Sequence, residues 1–202
     1  MTDTQQLTAR LQRAWQGRIS GCMLGKAVET FSMRAGGDAL QKYLSDVNAL
    51  PLRDYIPYDP EHAPDLIDKR CCAGHLHQSW PDDDVNYSTL ALMMLEKFGS
   101  QLTTTDVART WMKYLPVAST FTAERAAYRT LLNKAHEWFP EGRDPGFDLL
   151  DCAENEFNDW IGAQIRADVY GWVCPGNPDL AARLVTEDCL LYTSPSPRDL
   201  DL

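Results

Sequence analysis

Leu7, Leu11, Trp15 and Ile19 stand four residues apart, and Cys22 and Met23 prolong the stripe. Apolar residues at that spacing line one face of an α-helix. The pattern returns down the chain. Leu40, Tyr43, Leu44 and Val47 follow "GGD", and Val107, Trp111 and Leu115 follow Thr103, which has Asp106 three residues on, as in a capping box. Ala123, Ala127, Leu131 and Ala135 line one side of "FTAERAAYRTLLNKAHEWFP", with Pro140 as its expected stop. "NPDLAARLVTEDC" opens with Asn177 placed as an N-cap and Pro178 at the first helical position. Alternation with a period of two, rich in β-branched residues, is found nowhere. The fold class is therefore all-α. "LPLRDYIPYDPEHAPD", with four prolines, reads as a long irregular loop, and "EGRDPGFD" as a second break.

The 202 residues suit one domain, with or without a tail, and 44% hydrophobic content is enough for a sizeable core. A net charge of -10 argues against a chain that grips nucleic acid or an anionic membrane. No apolar run approaches the roughly 18 residues of a membrane span. The N-terminus "MTDTQQLTARLQRAW" lacks the apolar core of a signal peptide. Cysteines 22, 71, 72, 152, 174 and 189 are scattered, which suits reduced thiols in a cytoplasm.

Four stretches could carry chemistry. In "SWPDDDVNY", Asp82, Asp83 and Asp84 are adjacent and repel one another unless something offsets their charge. A helix N-terminus offsets about 0.3–1 kcal/mol per exposed carboxylate, and a hard divalent cation offsets more. Adjacent helical residues diverge by about 100°, so two of the three on one ion is the realistic arrangement. Helix cap and cation site both remain open. The helix after this cluster should run to Phe98 and stop at Gly99. "CCAGHLH" offers Cys71, Cys72, His75 and His77 but lacks the paired spacing of a zinc site, so a packed loop is expected there. "RISGCMLGKAVE" places Gly21 and Gly25 four apart on a helix, where each costs about 1 kcal/mol against Ala. Close approach of another helix or a ligand would explain them. Glu29 lies at the exit of this helix. "DWIGAQIRADVYGWVCPGNP" reads either as a glycine-punctuated loop approaching a ligand or as a helix-turn-helix connection with Arg166 in a surface pair.

Taken together, these stretches resemble the ADP-ribosylglycohydrolase family. "GCMLGKAVE" is similar to that family's first glycine helix, "DDDVNYSTLAL" to its Thr-Asp-Asp-Thr motif, and "GAQIRADVYG" to its Gly-Ala-x-x-Arg…Gly segment. "FTAERAAYRTLL" and "PGNPDLAARL" also look like a branch of the family, and the resemblance spans roughly residues 12–189. It implies an all-α bundle and two Mg²⁺ ions. The activity it implies is hydrolysis of the glycosidic bond between ADP-ribose and a protein side chain or small acceptor. It also implies that Asp82, Asp83 and Asp84 serve the metal, with Asp83, Asp84 and Glu29 catalytic. Gly162, Arg166 and Gly171 would then lie beside the ribose and phosphates. The expected partners are an ADP-ribosylated protein or small-molecule substrate, with no nucleic acid and no membrane.

Two departures qualify this. Val85 stands where the motif has its second Thr, and Asp82 where it has the first. After Asp188, the family's Ser/Thr-His pair and later Asp-x-Asp-Thr motif are replaced by "LLYTSPSPRDLDL", which resembles translated adaptor sequence. Residues 1–189 are thus expected to be the N-terminal part of the helical domain and 190–202 a non-native tail. The second metal site would be incomplete, turnover weak and some apolar surface uncovered. Two other readings fit the same residues: a protein that binds ADP-ribose or a nucleotide without cleaving it, and a plain all-α interaction domain.

Overall fold

The computed structural model describes residues 3–135 and 141–191. Pro140 and residues 192–202 of the expected tail lie outside them. The described residues are all-α, with eight helices, short 3-10 turns and no strand. The chain divides into two compact units, Met1–Val85 and Asn86–Leu202.

In the first unit, α1 spans Asp3–Lys26. Its apolar stripe reaches the core only toward the C-terminal end: Leu7 is exposed, Ile19 and Cys22 are partly buried, and Met23 is buried. The helix breaks at Ala27–Val28 because a loop captures its backbone. The Asp68 N–H donates to the Ala27 carbonyl at 2.9 Å, and the Val28 N–H turns back to Gly25 at 3.0 Å. Helix α2, Glu29–Ala35, follows, and Gly36 at φ +86° turns the chain into α3, Gly37–Asp46. That φ lies in the left-handed region, which glycine enters without a steric penalty. The proline-rich loop is irregular, as expected, but it is anchored. Ile56 and Ile67 are buried with Phe31, Tyr43, Leu44, Cys71 and Cys72. The Tyr43 hydroxyl donates to the Pro57 carbonyl at 2.7 Å.

Helix α4, Asp83–Phe98, begins in the triple Asp and ends at Gly99, whose φ is +55°. In the second unit, α5 spans Thr104–Tyr114, with the capping box of Thr103 and Asp106 formed. Helix α6 spans Thr122–Lys134. It ends sooner than the sequence suggested, since Ala135 is already extended. Helices α7, Gln164–Val173, and α8, Pro178–Cys189, pack against each other. Asn177 caps α8, its Oδ1 accepting the Leu180 N–H at 3.1 Å. Glu187 of α8 closes the start of α5, accepting from the Thr104 N–H and hydroxyl at 2.8 Å each. Tyr87, Trp111 and Tyr128 form an aromatic column, with ring centroids 5.9 and 6.3 Å apart. Leu191, just past α8, is buried.

Candidate functional site

Arg18, Cys22 and Lys26 stand four residues apart and so share one face of α1. Within the first unit, that face meets the acidic start of α4. Lys26 Nζ lies 2.7 Å from Asp82 Oδ2. Arg18 Nη2 lies 3.4 Å from Asp84 Oδ1 and donates to the Asp84 carbonyl at 3.2 Å. Asp82 Oδ1 also accepts the Asp84 N–H at 3.1 Å, as an N-cap does. Cys22 completes the group: its Sγ and a carboxylate oxygen from each of Asp82 and Asp84 all lie within 4.8 Å of one another. Among the described residues this is the one cluster with metal-ligating spacing.

The electrostatics follow from this crowding. Burial pushes the Cys22 thiol well above its usual value, and its hydrogen bond to Asp82 and the charges of Asp82 and Asp84 add to that. Burial alone would raise Asp82, but hydrogen bonds from Lys26 and Cys22 hold it below the ordinary carboxylate range. Burial, then Asp82 and Asp84 beside it, push the Asp83 carboxyl up to about 6. Lys26 is held above its usual value: burial opposes its charge, but its bond to Asp82 and the charges of Asp82 and Glu29 outweigh it. The cap and the charge compensation therefore coexist. Two basic side chains of α1 supply the compensation that a cation was expected to bring.

Two magnesium ions call for hard oxygen donors in near-octahedral shells. Here one of the three clustered donors is a thiol, Asp83 is not in the group, and an ammonium and a guanidinium already lie against the two carboxylates. This donor set does not suit a pair of magnesium ions.

Glu29 is exposed at the first turn of α2, not at the end of α1. The close packing expected at Gly21 and Gly25 is not there, since beyond each glycine's own neighbours and helix backbone nothing lies within 4 Å of where a Cβ would stand. An open groove of about 430 Å³ runs beside Gly17, Ser20 and Gly21, walled by Leu52 and Tyr55. Cys71 and Cys72 are buried in the core while His75 and His77 are exposed, consistent with a packed loop.

Gly162, Arg166 and Gly171 belong to the second unit. Their segment is helical: Gly162 sits in a 3-10 turn leading into α7, and Gly171 lies inside α7. Arg166 is not a surface residue. It is 1% exposed, donates through Nε to Asp188 Oδ1 at 3.0 Å and through Nη1 to the Gly162 carbonyl at 3.3 Å. Its guanidinium also lies 5.1 Å from the Trp111 ring centroid and 5.7 Å from that of Tyr87. Tyr170 donates to Asp188 Oδ2 at 2.9 Å, and Glu124 Oε1 lies 3.8 Å from Arg166 Nη1. These contacts make Arg166 the hub of a buried network.

No family model, no curated protein and no solved structure matches the chain.

The sequence reading missed Arg18, Cys22 and Lys26 as members of the cluster. Their spacing of four on α1 was the available signal. Asp188 and Glu124 had none, because each lies on a different helix from Arg166.

Proposed function

We propose that the chain carries part of an ADP-ribosylglycohydrolase-like site, acting on the glycosidic bond that joins ADP-ribose to a protein side chain or small acceptor. One observation carries the reading: two of the motifs behind the family resemblance, 56 residues apart at Lys26 and Asp82, meet side chain to side chain. The all-α class agrees with it. Cleavage at the anomeric carbon passes through a positively charged oxocarbenium-like state, which fixed carboxylates stabilise. Asp82 and Asp84 are placed for that role. Asp83, outside the clustered group, and the exposed Glu29 are the carboxyls left to move a proton. Because the donor set does not suit two magnesium ions, no step is assigned to them. Arg166 is already engaged by Asp188, so substrate phosphates would need another donor.

The test is calorimetric titration of the 202-residue chain with ADP-ribose, with and without Mg²⁺, beside an assay of ADP-ribose release from N- and O-linked substrates. The expected result is measurable ADP-ribose binding, lost in Asp83→Ala and Asp84→Ala, with slow or absent release. A wild-type chain that binds no ADP-ribose, or variants that bind it unchanged, would sink the proposal. A second reading has its own support: Lys26, Arg18 and the cap of α4 already satisfy the acidic cluster, as in a plain all-α interaction domain. Under it, Asp82→Ala, which removes the cap of α4, costs about 1 kcal/mol of stability and changes no ligand affinity.

A further inference from the structure

We propose that Arg166 Nη1 is the moving part of a proton-operated switch in the second unit: it holds the turn at Gly162 while Glu124 is neutral, and leaves it for Glu124 once that carboxyl ionises. The supporting geometry is specific. Nη1 donates to the Gly162 carbonyl at 3.3 Å and lies 3.8 Å from Glu124 Oε1. That oxygen is buried without a hydrogen-bond partner, on a residue that is 5% exposed. A neutral carboxyl tolerates such a vacancy far better than a carboxylate, whose buried charge needs donors. Hydrogen bonds to an ionised acceptor are about twice as strong as neutral ones, so a carboxylate here draws Nη1 more strongly than the carbonyl does.

The surroundings favour one motion. Asp188 holds the opposite edge of the guanidinium, accepting from Nε at 3.0 Å and, through its carbonyl, from Nη2 at 3.2 Å. The Trp111 and Tyr87 rings lie over it, so it pivots in its own plane. A shift of about 1 Å at Nη1 brings Oε1 into hydrogen-bond range and takes the already long Gly162 bond out of it. The titratable groups around Arg166 and Glu124 are Tyr170 on α7, Asp188 and Cys189 on α8, Tyr87 on α4 and Tyr128 one turn further along α6. Tyr170 is engaged by Asp188, and the Tyr128 hydroxyl faces the Trp111 and Leu115 carbonyls. Arg125, next to Glu124 in the chain, is exposed and donates to the Thr120 carbonyl. Arg166 is therefore the cation that answers Glu124. Burial raises the Glu124 carboxyl, which sets the switch above the ordinary 4.5. Gly162 lies in the 3-10 turn Ile161–Ala163, and the exposed Trp160 before it packs on Phe157 with ring centroids 5.3 Å apart. Release of Nη1 loosens this apolar surface while Asp188 keeps α7 on α8.

The inference needs neither a ligand nor the proposed hydrolase reading. Hydrogen exchange of the full chain is followed by mass spectrometry from pH 5.5 to 8, with rates corrected for their intrinsic pH dependence. In the wild type, protection of residues 161–165 should fall with rising pH, by about fivefold more than that of α5. The comparison with α5 removes any change in global stability. Glu124→Gln, neutral at every pH, should keep the two segments in step across the range, with circular dichroism confirming that it is folded. Three results would overturn the switch: protection of residues 161–165 that does not change with pH, a fall no larger than that of α5, or the same extra fall in Glu124→Gln.

Discussion

Asp188 and Glu124 both flank the Arg166 guanidinium, yet their roles differ. Asp188 accepts from Arg166 and Tyr170 with both carboxylate oxygens, while Glu124 Oε1 stands 3.8 Å from Arg166 with no hydrogen bond. One guanidinium balances one buried carboxylate, so Glu124 is the charge in surplus. Burial pushes its carboxyl above the ordinary 4.5, more than Arg166 pulls it down. A carboxyl raised in the folded state keeps its proton where the unfolded chain has lost it. Stability therefore falls as pH rises from about 4.5 through the folded value. Glu124→Gln should be neutral or stabilising by about 1 kcal/mol at pH 7, with the advantage fading below about pH 4.5. Asp188→Asn strands the guanidinium and should cost about 3–5 kcal/mol. Urea unfolding at pH 4 and pH 7 measures both, and equal losses in the two variants would show that Arg166 needs both carboxylates. This network was not legible in the sequence, where Arg166 read as a residue of a glycine-rich segment. Its partners are fixed by packing among α6, α7 and α8, which no local pattern encodes.

Helix α1 carries Gly17, Gly21 and Gly25 four apart, with nothing beyond their own neighbours and helix backbone within 4 Å of the Cβ positions. Alanine at an open helical position is favoured by about 1 kcal/mol. Gly17→Ala and Gly21→Ala should each raise the melting temperature followed by circular dichroism, and together do so nearly additively. A fall in either would reveal a neighbour packed against that stripe. Helix boundaries fixed by local chemistry were legible: Gly99 after α4, Thr103 with Asp106 before α5, and Asn177 with Pro178 before α8. Boundaries fixed from a distance were not. The break between α1 and α2 depends on Asp68 capturing the Ala27 carbonyl, 41 residues earlier in the chain. The same distinction holds for the candidate site. The acidic run is visible in the sequence, but its neutralisation by Arg18 and Lys26 appears only once α1 and the start of α4 are brought together.

Across the whole molecule, 29 acidic residues against 19 basic ones leave a net charge of -10 at pH 7. Self-repulsion of that size keeps copies apart. It also masks what the surface would otherwise do. Met33 is 79% exposed, Ile161 65% and Phe121 59%, so both units present large apolar side chains to solvent. No described helix is long and apolar enough to cross a membrane, so none of these residues belongs to a helical span. The balance shifts as the carboxylates titrate, and the net charge vanishes near pH 4.8. With repulsion gone, the exposed apolar side chains decide whether copies associate. Dynamic light scattering should report a small uniform species at pH 7.5 and growing particles as the pH approaches 4.8. High salt at pH 7.5, which screens the same repulsion, should produce part of that growth. Phe121→Ser with Ile161→Ser separates the two causes. If charge loss exposes apolar contacts, the double variant associates less at the same pH. If its particles grow as fast as those of the wild type, charge neutrality alone drives the association and these side chains play no part in it.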